Sequence, residues 1–494
     1  MNHKKEENMI VYFFNFFKSK GYILFALPLI FSLSFSCVHK NPEIVRDESI
    51  SALQKELEER VPEKVKSEQE LTLDECIQIA LQNNAQVKIA EIERKIARLE
   101  KNIAFSNFLP QVTSDFQVMS YDRLPMVSMG FISTSMQDKT TRIADAQLQM
   151  PIFAPATWFI YDLRQKGVDV SNLVKDYTCQ MIALQTTALF FQLSALENME
   201  KSLQSQLDAA NKLVEQMNNY YDEGLITQSQ KEQTILLKQS KERDLSQCRD
   251  EIVSTKAQLN TVLGLSPIEK IKIAEDTPVP TIDKSLEDLI LGALKSHPQI
   301  LLADQKVLVS EDEIRLAITN FLPVIGGFSQ WQYTSSTKSL YSQSVVSGLQ
   351  GVLTLFTGFA NINQYKIARA NRSKAFLERE DTSLSLMSGV VRAKSNWEKA
   401  KEDLKLAEQS FTYYKEKFRE ANEKWNEGMI TEADIVSVQA ELGSAEINLI
   451  NARIQEQVAL ASLWNSTGKT YMGNSIYYEP TKDTNNNKEK SAND

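Results

Sequence analysis

The residue types that most often carry out chemistry are few in this chain and lie scattered along it. The 494 residues include four cysteines and three histidines, namely Cys37, Cys76, Cys179 and Cys248 with His3, His39 and His297. Their spacings match neither a zinc site nor a disulfide framework, and the chain has no nucleophile elbow, phosphate-binding loop or metal-ligand pair. The sequence therefore predicts neither an enzyme nor a cofactor or metal site. A net charge of −9, from 55 basic and 64 acidic residues, also argues against a nucleic-acid partner.

The N-terminus is predicted to be an export signal. Four lysines, at positions 4, 5, 18 and 20, precede an apolar run over residues 22–35. That run is too short to span a bilayer comfortably, and small residues follow it. Residues 1–36 are therefore predicted to be a cleaved signal peptide.

Cys37 is the one cysteine whose position suggests a reaction. The segment Ser34-Phe35-Ser36-Cys37 resembles a bacterial lipobox, in which the cysteine is acylated and becomes the first residue of the mature chain. Ser34 and Phe35 depart from the aliphatic and small residues usual in that motif. The alternative is an ordinary signal peptide in which Cys37 has no role.

The body of the chain contains an internal sequence repeat. Residues 73–110 and 286–323 align without a gap, 213 positions apart, and both end in Asn-Phe-Leu-Pro. A second, shorter repeat has the sequence Tyr-Asp-Glu-Gly-Leu-Ile-Thr at 221–227 and Trp-Asn-Glu-Gly-Met-Ile-Thr at 425–431. These repeats indicate a tandem duplication of a unit of about 200 residues. We therefore expect two similar halves in one body.

Each half is predicted to begin with one helix, followed by two strands. In the first half Thr72 caps the helix, apolar residues recur at helical spacing from Cys76 to Ile103, and Pro110 ends the run. Such a helix is about 54 Å long. Alternating apolar residues then predict two strands in each half, and polar loops over 122–139 and 335–342 join each pair. These residues are Val112, Phe116 and Val118; Ala144, Ala146, Leu148, Met150 and Ile152; Ile325, Trp331 and Tyr333; and Val345, Leu349, Leu353 and Leu355.

A long helix follows each strand pair, over residues 158–222 and 361–427, and a returning helix follows at 228–263 and 432–464. Apolar residues at steps of three and four indicate a coiled-coil seam, at Leu196, Met199, Leu203, Leu207, Ala210, Val214, Met217 and Tyr221. The long helix would span about 95–100 Å, and the two shorter helices of each half about 54 and 50 Å. We therefore expect the shorter helices to stack end to end beside the long one.

The strands also match transmembrane strands, which are about 9–11 residues long and alternate in polarity. Four strands cannot close a barrel, and a sheet in a bilayer can leave no edge unpaired. Several chains must then pool their strands. From the residues alone, we predict an oligomeric barrel that carries a long helical tube.

The predicted fold is mainly α with a small β part, built from a duplicated unit of helix, strand, strand, long helix and helix. The predicted boundaries are a signal peptide at 1–36, a tether with one short helix at 37–70, a first repeat at 71–265, a linker at 266–284, a second repeat at 285–468 and a polar tail at 469–494.

With these features the chain resembles the TolC-like outer-membrane efflux proteins over residues 71–468. The features that carry the resemblance are the duplicated helix ending in Phe-Leu-Pro, the duplicated hairpin tip with its glycine, and the strand pair between them. The resemblance implies a homotrimer with a twelve-stranded barrel in outer-membrane lipid, continued by an α-helical tunnel through the periplasm. It also implies two partners, a periplasmic adaptor and an inner-membrane pump.

The resemblance further implies that the hairpin tips contact the adaptor. These tip residues are Gly224, Leu225, Ile226 and Thr227, and Gly428, Met429, Ile430 and Thr431. Glycine permits the positive φ of a reversal, while exposed apolar neighbours offer contact to a partner. The alternative is that each glycine only ends a helix.

Asp434 is a candidate gate residue, because the second hairpin lines the tunnel in this family and an aspartate there can face the lumen. Gln230 stands at the same distance from Gly224, so the two hairpins differ in charge at this point. Three carboxylates in a narrow opening would repel one another and could bind a cation. Alternatively, Asp434 only favours the start of the returning helix.

A different class of function remains open from the sequence. A lipid-anchored coiled-coil scaffold, in the periplasm or at the cell surface, would share the leucine seams and the export signal. It would not require two strand pairs at matched positions.

Overall fold

The structure is a computed structural model that describes residues 42–124, 126–135, 137–274 and 279–469. The chain divides into two compact units, Met1–Arg60 and Val61–Asp494. The described part of the first unit is a single helix, α1 (Pro42–Arg60). The predicted signal peptide with Cys37 lies outside the described residues, as does the tail beyond residue 469.

The second unit contains the duplicated body, in which the order helix, helix, strand, strand, long helix and returning helix recurs in both halves. The first half comprises α2 (Glu63–Lys66), β1 (Glu70–Leu71), α3 (Leu73–Asn83), α4 (Ala85–Ser106), β2 (Gln111–Ser120), β3 (Met126–Met129), β4 (Ile132–Ser135), β5 (Thr140–Phe153), α5 (Pro155–Asp222), α6 (Gln228–Val262) and β6 (Lys272–Ile273). The second comprises α7 (Leu286–Ser296), α8 (Pro298–Thr319), β7 (Val324–Thr334), β8 (Gln343–Val352), α9 (Ala360–Asn426) and α10 (Glu432–Ser466).

The prediction of one continuous helix at the start of each half is wrong. Asn84 separates α3 from α4 with ψ 131°, and His297 separates α7 from α8 with ψ 129°. In the second half Pro298 explains the break, because proline disfavours helical backbone at the residue before it. In the first half the side chain of Asn84 explains it, since an asparagine that caps a new helix cannot continue the old one. The predicted cap at Thr72 is present as a capping box with Glu75.

Asn84 joins the ends of two helices. Its Nδ2 donates to the carbonyl oxygen of Val262, the last residue of α6, at 2.8 Å. Its Oδ1 accepts the backbone N–H of Gln86, in the first turn of α4, at 2.8 Å. Both α4 and α6 pack along α5. The pair that meets end to end beside the long helix is therefore α4 and α6, while α3 packs separately against α5.

Four strands form one antiparallel sheet in the order β2, β5, β7, β8. It unites the halves, because β5 of the first pairs with β7 of the second. Two details differ from prediction. The loop between β2 and β5 contains a small hairpin, β3 with β4, and β8 ends at Val352, so Leu353 and Leu355 lie outside it.

The core lies where the shorter helices of both halves meet α5. Phe190, Phe191 and Leu193 of α5 are almost completely buried. Ile77 of α3 and Leu460 of α10 belong to the same cluster. Burying each large apolar side chain contributes about 1.5–3 kcal/mol. Among the described residues α5 is also the one helix long and apolar enough to span a bilayer, but 72% of its apolar window is buried, as expected of a core helix.

Candidate functional site

The four-stranded sheet has one predominantly polar face and one predominantly apolar face. On the polar face Asp115 lies opposite Asp145, Asp145 opposite Gln332, and Gln332 opposite Ser344. On the other face Val112 and Phe116 of β2 are 72% and 70% exposed. A sheet that leaves such an apolar face uncovered requires an apolar surrounding. The alternation therefore fits a sheet with lipid on one side and water on the other.

Among the described residues the sheet ends in two unpaired edges, β2 and β8. Each edge exposes a row of backbone N–H and C=O groups, which cannot remain unpaired in a bilayer. The three pairings within the sheet are all antiparallel, so β2 and β8 run in opposite directions. The β8 edge of one copy can therefore pair with the β2 edge of another and continue the same pattern.

The two hairpin tips have matching backbone geometry. Gly224 and Gly428 have φ of +76° and +72°. The N–H of Leu225 donates to the carbonyl of Tyr220, and that of Met429 to the carbonyl of Lys424, both at 2.8 Å. This backward bond closes the helix end and requires the left-handed conformation that glycine adopts without strain. Both glycines are therefore helix terminators, whatever else the tips do.

The side chains of the tips are only partly as predicted. Leu225 and Met429 are 65% and 69% exposed, so two large apolar side chains stand free at the ends of the hairpins. Ile226 and Ile430 are half-buried rather than exposed. Thr227 and Thr431 are the N-caps of α6 and α10.

Asp434 takes part in a capping box. Its Oδ2 accepts the backbone N–H of Thr431 at 2.9 Å and the hydroxyl of Thr431 at 2.6 Å. These hydrogen bonds lower the pKa of the carboxyl group below its usual value of 3.8, and the bond from the hydroxyl has the larger effect. Gln230 occupies the corresponding place in a capping box with Thr227. The hairpins thus share one capping geometry and differ in charge at this position.

The structure shows no group of side chains among the described residues that could hold a metal ion. Cys76, Cys179 and Cys248 are buried free thiols. Burial raises the pKa of the Cys76 thiol to about 12, so this group stays protonated and unreactive. His297 is also buried, and burial lowers its pKa to about 4. The sequence reasoning missed its role beside a helix break, which the following proline could have signalled.

The helical hairpins, the duplicated unit and the two-faced sheet together define a protein of the outer-membrane channel class. The chain matches the family model for outer membrane efflux proteins over residues 76–265 and 289–469. It belongs to that family, which is a family of efflux proteins and not of enzymes.

Solved structures of the same fold are similar to the chain at low sequence identity. The outer membrane protein VceC from Vibrio cholerae has a TM-score of 0.68 and 16% identity, covering 81% of this chain and 96% of that one. The CmeC outer membrane channel of Campylobacter jejuni has a TM-score of 0.71 and 15% identity, covering 85% and 89%. The open state of the MtrE outer membrane channel of Neisseria gonorrhoeae has a TM-score of 0.66 and 16% identity, covering 80% and 88%. None of the curated proteins compared with the chain matches it significantly.

Proposed function

We propose that this protein is the outer-membrane channel of a tripartite efflux or type I secretion system. In this role it passes substrates to the outside from an inner-membrane pump and a periplasmic adaptor. The observation that carries the proposal is the four-stranded sheet, polar on one face and apolar on the other, with both edges unpaired. In a soluble scaffold the apolar face of this sheet would be exposed to water, which is unfavourable.

The proposed assembly is a homotrimer. Three copies together supply twelve strands, enough for a closed barrel with a water-filled interior. The polar row that contains Asp115 and Asp145 then faces the lumen, and Phe116 faces lipid. Trimer formation rests on the family resemblance and is supported by the unpaired edges.

A second surface supports contact between copies. Five apolar residues follow one face of α4 at steps of three and four, and each is at least 49% exposed: Ile89, Ile92, Ile96, Leu99 and Ile103. The equivalent residues of α8 are half-buried or buried, namely Leu302, Gln305, Val309, Asp312 and Leu316. The difference arises because α8 packs between α5 and α9, whereas α4 packs extensively only along α5 among the described long helices.

The partner of α4 in the proposed trimer is α9 of a neighbouring copy. Arg372 and Arg379 of α9 form ion pairs with Glu311 and Asp304 of α8. Leu377, Leu384 and Val391 follow at steps of seven and remain 66%, 58% and 44% exposed. An apolar stripe on each helix is the pattern of a coiled-coil seam.

The hairpin tips are proposed to contact the adaptor, and Cys37 is proposed to carry a lipid anchor. Labelling with a palmitate analogue tests the anchor. Wild-type protein should be labelled and Cys37→Ser should not. Equal labelling of both would show that residues 34–37 are not a lipobox.

Conductance in a planar lipid bilayer tests the channel. Purified protein should form stable pores and show heat-modifiable migration on a gel. Phe116→Arg places a charge on the lipid face and costs about 2–4 kcal/mol at the bilayer centre, so insertion should fail. Gln117→Arg, on the neighbouring polar face, is the matched control and should still conduct. A protein that forms no pore under these conditions would be a scaffold.

A further inference from the structure

The pairing of β5 with β7 within the chain indicates how the two unpaired edge strands, β2 and β8, can pair between copies. We infer that β8 of one copy pairs with β2 of the next in the register set by β5 and β7, and that residues 353–356 become strand on that pairing. This inference rests on the proposed trimer, but it specifies which residues meet. The register follows from three pairings observed within the chain.

The first step is to equate strands between the halves. Pro110 and Pro323 end the matched helices, so Gln111 and Val324, which begin β2 and β7, are equivalent and 213 positions apart. Gln111 lies opposite Gln149, and Val324 lies opposite Val352. Gln149 and Val352 are therefore equivalent, and β5 matches β8 at a distance of 203 positions.

The second step takes the pairing of β5 with β7 within the chain as the model for the pairing of β8 with β2 of the next copy. Within the chain Ala146 lies opposite Trp331, and Leu148 lies opposite Ser329. The equivalent residues place Leu349 opposite Val118 of the next copy and Gly351 opposite Phe116 of the next copy. The intervening pair is Gln350 with Gln117 of the next copy.

The faces agree in this register. Leu349 and Val118 are 75% and 57% exposed and form an apolar pair on the lipid side, while the two glutamines meet on the polar side. A slip of one residue would place Leu349 opposite Gln117 or Met119 and reverse the faces of one strand. The polarity of the sheet thus excludes odd shifts.

Glycine distinguishes this register from a slip of two residues. A Cβ built on Gly351 would meet only Ile325, at 3.9 Å, so the space above Gly351 is open for the ring of Phe116. The sheet already contains such a pair, because Phe328 lies opposite Gly348 and its ring would stand 3.2 Å from a Cβ there. A slip of two would place Phe116 opposite a branched side chain instead, Leu349 or Leu353 according to the direction of the slip.

The same equivalence explains why β8 is short. β5 continues past Gln149 to Phe153, and beyond Gln149 it pairs only with β7. The residues equivalent to 150–153 are 353–356, beside which no strand lies in the described part of the chain. Leu355 and Phe356 are 88% and 72% exposed. Pairing with residues 112–114 of the next copy covers this segment and supplies backbone partners for three of its four residues, because β5 likewise leaves Ile152 unpaired in a bulge.

Disulfide formation between copies tests the register. Leu349→Cys with Val118→Cys, and Gln350→Cys with Gln117→Cys, bring together directly opposed residues. Residues two positions further along the strand lie about 7–8 Å away, beyond the reach of an unstrained disulfide. Leu349→Cys with Phe116→Cys and Gln350→Cys with Asp115→Cys are therefore the matched controls. Wild-type protein reports any linkage through its own cysteines.

On oxidation, most of each predicted pair should migrate as covalently linked trimers on a denaturing gel, and the controls should remain mostly monomers. Linkage in the controls instead, or in neither set while the reduced samples still run as native trimers, would overturn the register and leave the trimer intact. Monomers in native membranes for every variant and for wild type would overturn the proposed assembly itself.

Discussion

Gly468 lies so close to His297 that a Cβ on the glycine would stand 2.7 Å from the Cα of the histidine. Gly264 repeats this relationship in the first half, where a Cβ would stand 2.6 Å from the carbonyl oxygen of Asn83. Both glycines have positive φ, +76° and +70°. Each half is therefore held together at the same point, where the end of the returning helix meets the break between two shorter helices.

Gly468→Ala should destabilise the protein by about 2–4 kcal/mol, because a left-handed alanine and a forced shift of His297 each cost at least ~1 kcal/mol. The midpoint of urea unfolding in detergent measures the effect. Gly292→Ala, within α7, is the control, since its Cβ would meet no atom within 4 Å. That variant should gain about 0.5–1 kcal/mol. Wild-type stability in Gly468→Ala would show that the contact is not tight.

Acid should weaken the second half through His297. The side chain is 5% exposed, its Nδ1 accepts the N–H of Gln299 at 3.2 Å, and burial lowers its pKa from 6.5 to about 4. Because the unfolded chain binds this proton at higher pH than the folded chain, stability is complete above about pH 6.5 and declines towards pH 4. The total loss from this group is about 3 kcal/mol.

His297→Asn tests this dependence, because asparagine is the residue at the equivalent position 84 and caps the next helix in the same way. The variant should keep the fold and lose the part of the acid sensitivity that lies between pH 6.5 and pH 4. Urea unfolding of both proteins across that range gives the difference. Parallel pH profiles would assign the sensitivity to other groups.

Gly428→Leu should abolish export while the trimer still assembles. A Cβ at Gly428 would meet no atom within 4 Å, so the only internal cost is local backbone strain, whereas the added side chain would obstruct the adaptor. The affinity for the adaptor should fall by about tenfold or more, which corresponds to ~1.4 kcal/mol of lost binding, and export should be lost with it. Gly130→Leu is the matched control, with φ +69° and equally open space in the β3–β4 turn. Export equal in the two variants would argue against the contact.

Asp434→Asn should reduce cation selectivity and block by multivalent cations in single-channel recordings. The hydrogen bonds from Thr431 lower the pKa of the Asp434 carboxyl group, so the group is charged at neutral pH, where the recordings are made. Gln230→Glu, which adds a carboxylate at the equivalent position of the other hairpin, should not replace the lost charge. Unchanged selectivity in Asp434→Asn would leave Asp434 as a helix cap alone.

The sequence by itself determined the duplication, the alternating strands and the two glycine turns. The strands and turns were readable because each depends on residues close together in the chain, and the duplication because the same residues recur 213 positions later. Helices and strands show a periodic sequence because one face of each element is buried, which places apolar residues at regular intervals along the chain. A glycine at a helix end reflects local backbone geometry.

Only the tertiary structure decided which faces of equivalent helices are covered. Leu99 and Asp312 occupy equivalent positions, yet Leu99 is 52% exposed, whereas Asp312 is fully buried with Lys166 of α5 and Arg315. The break at Asn84 was equally hidden, because the hydrogen bond that joins it to Val262 spans 178 positions. Such contacts arise from packing between segments that are distant in the chain. The spacing of residues within one segment does not indicate which distant segment packs against it.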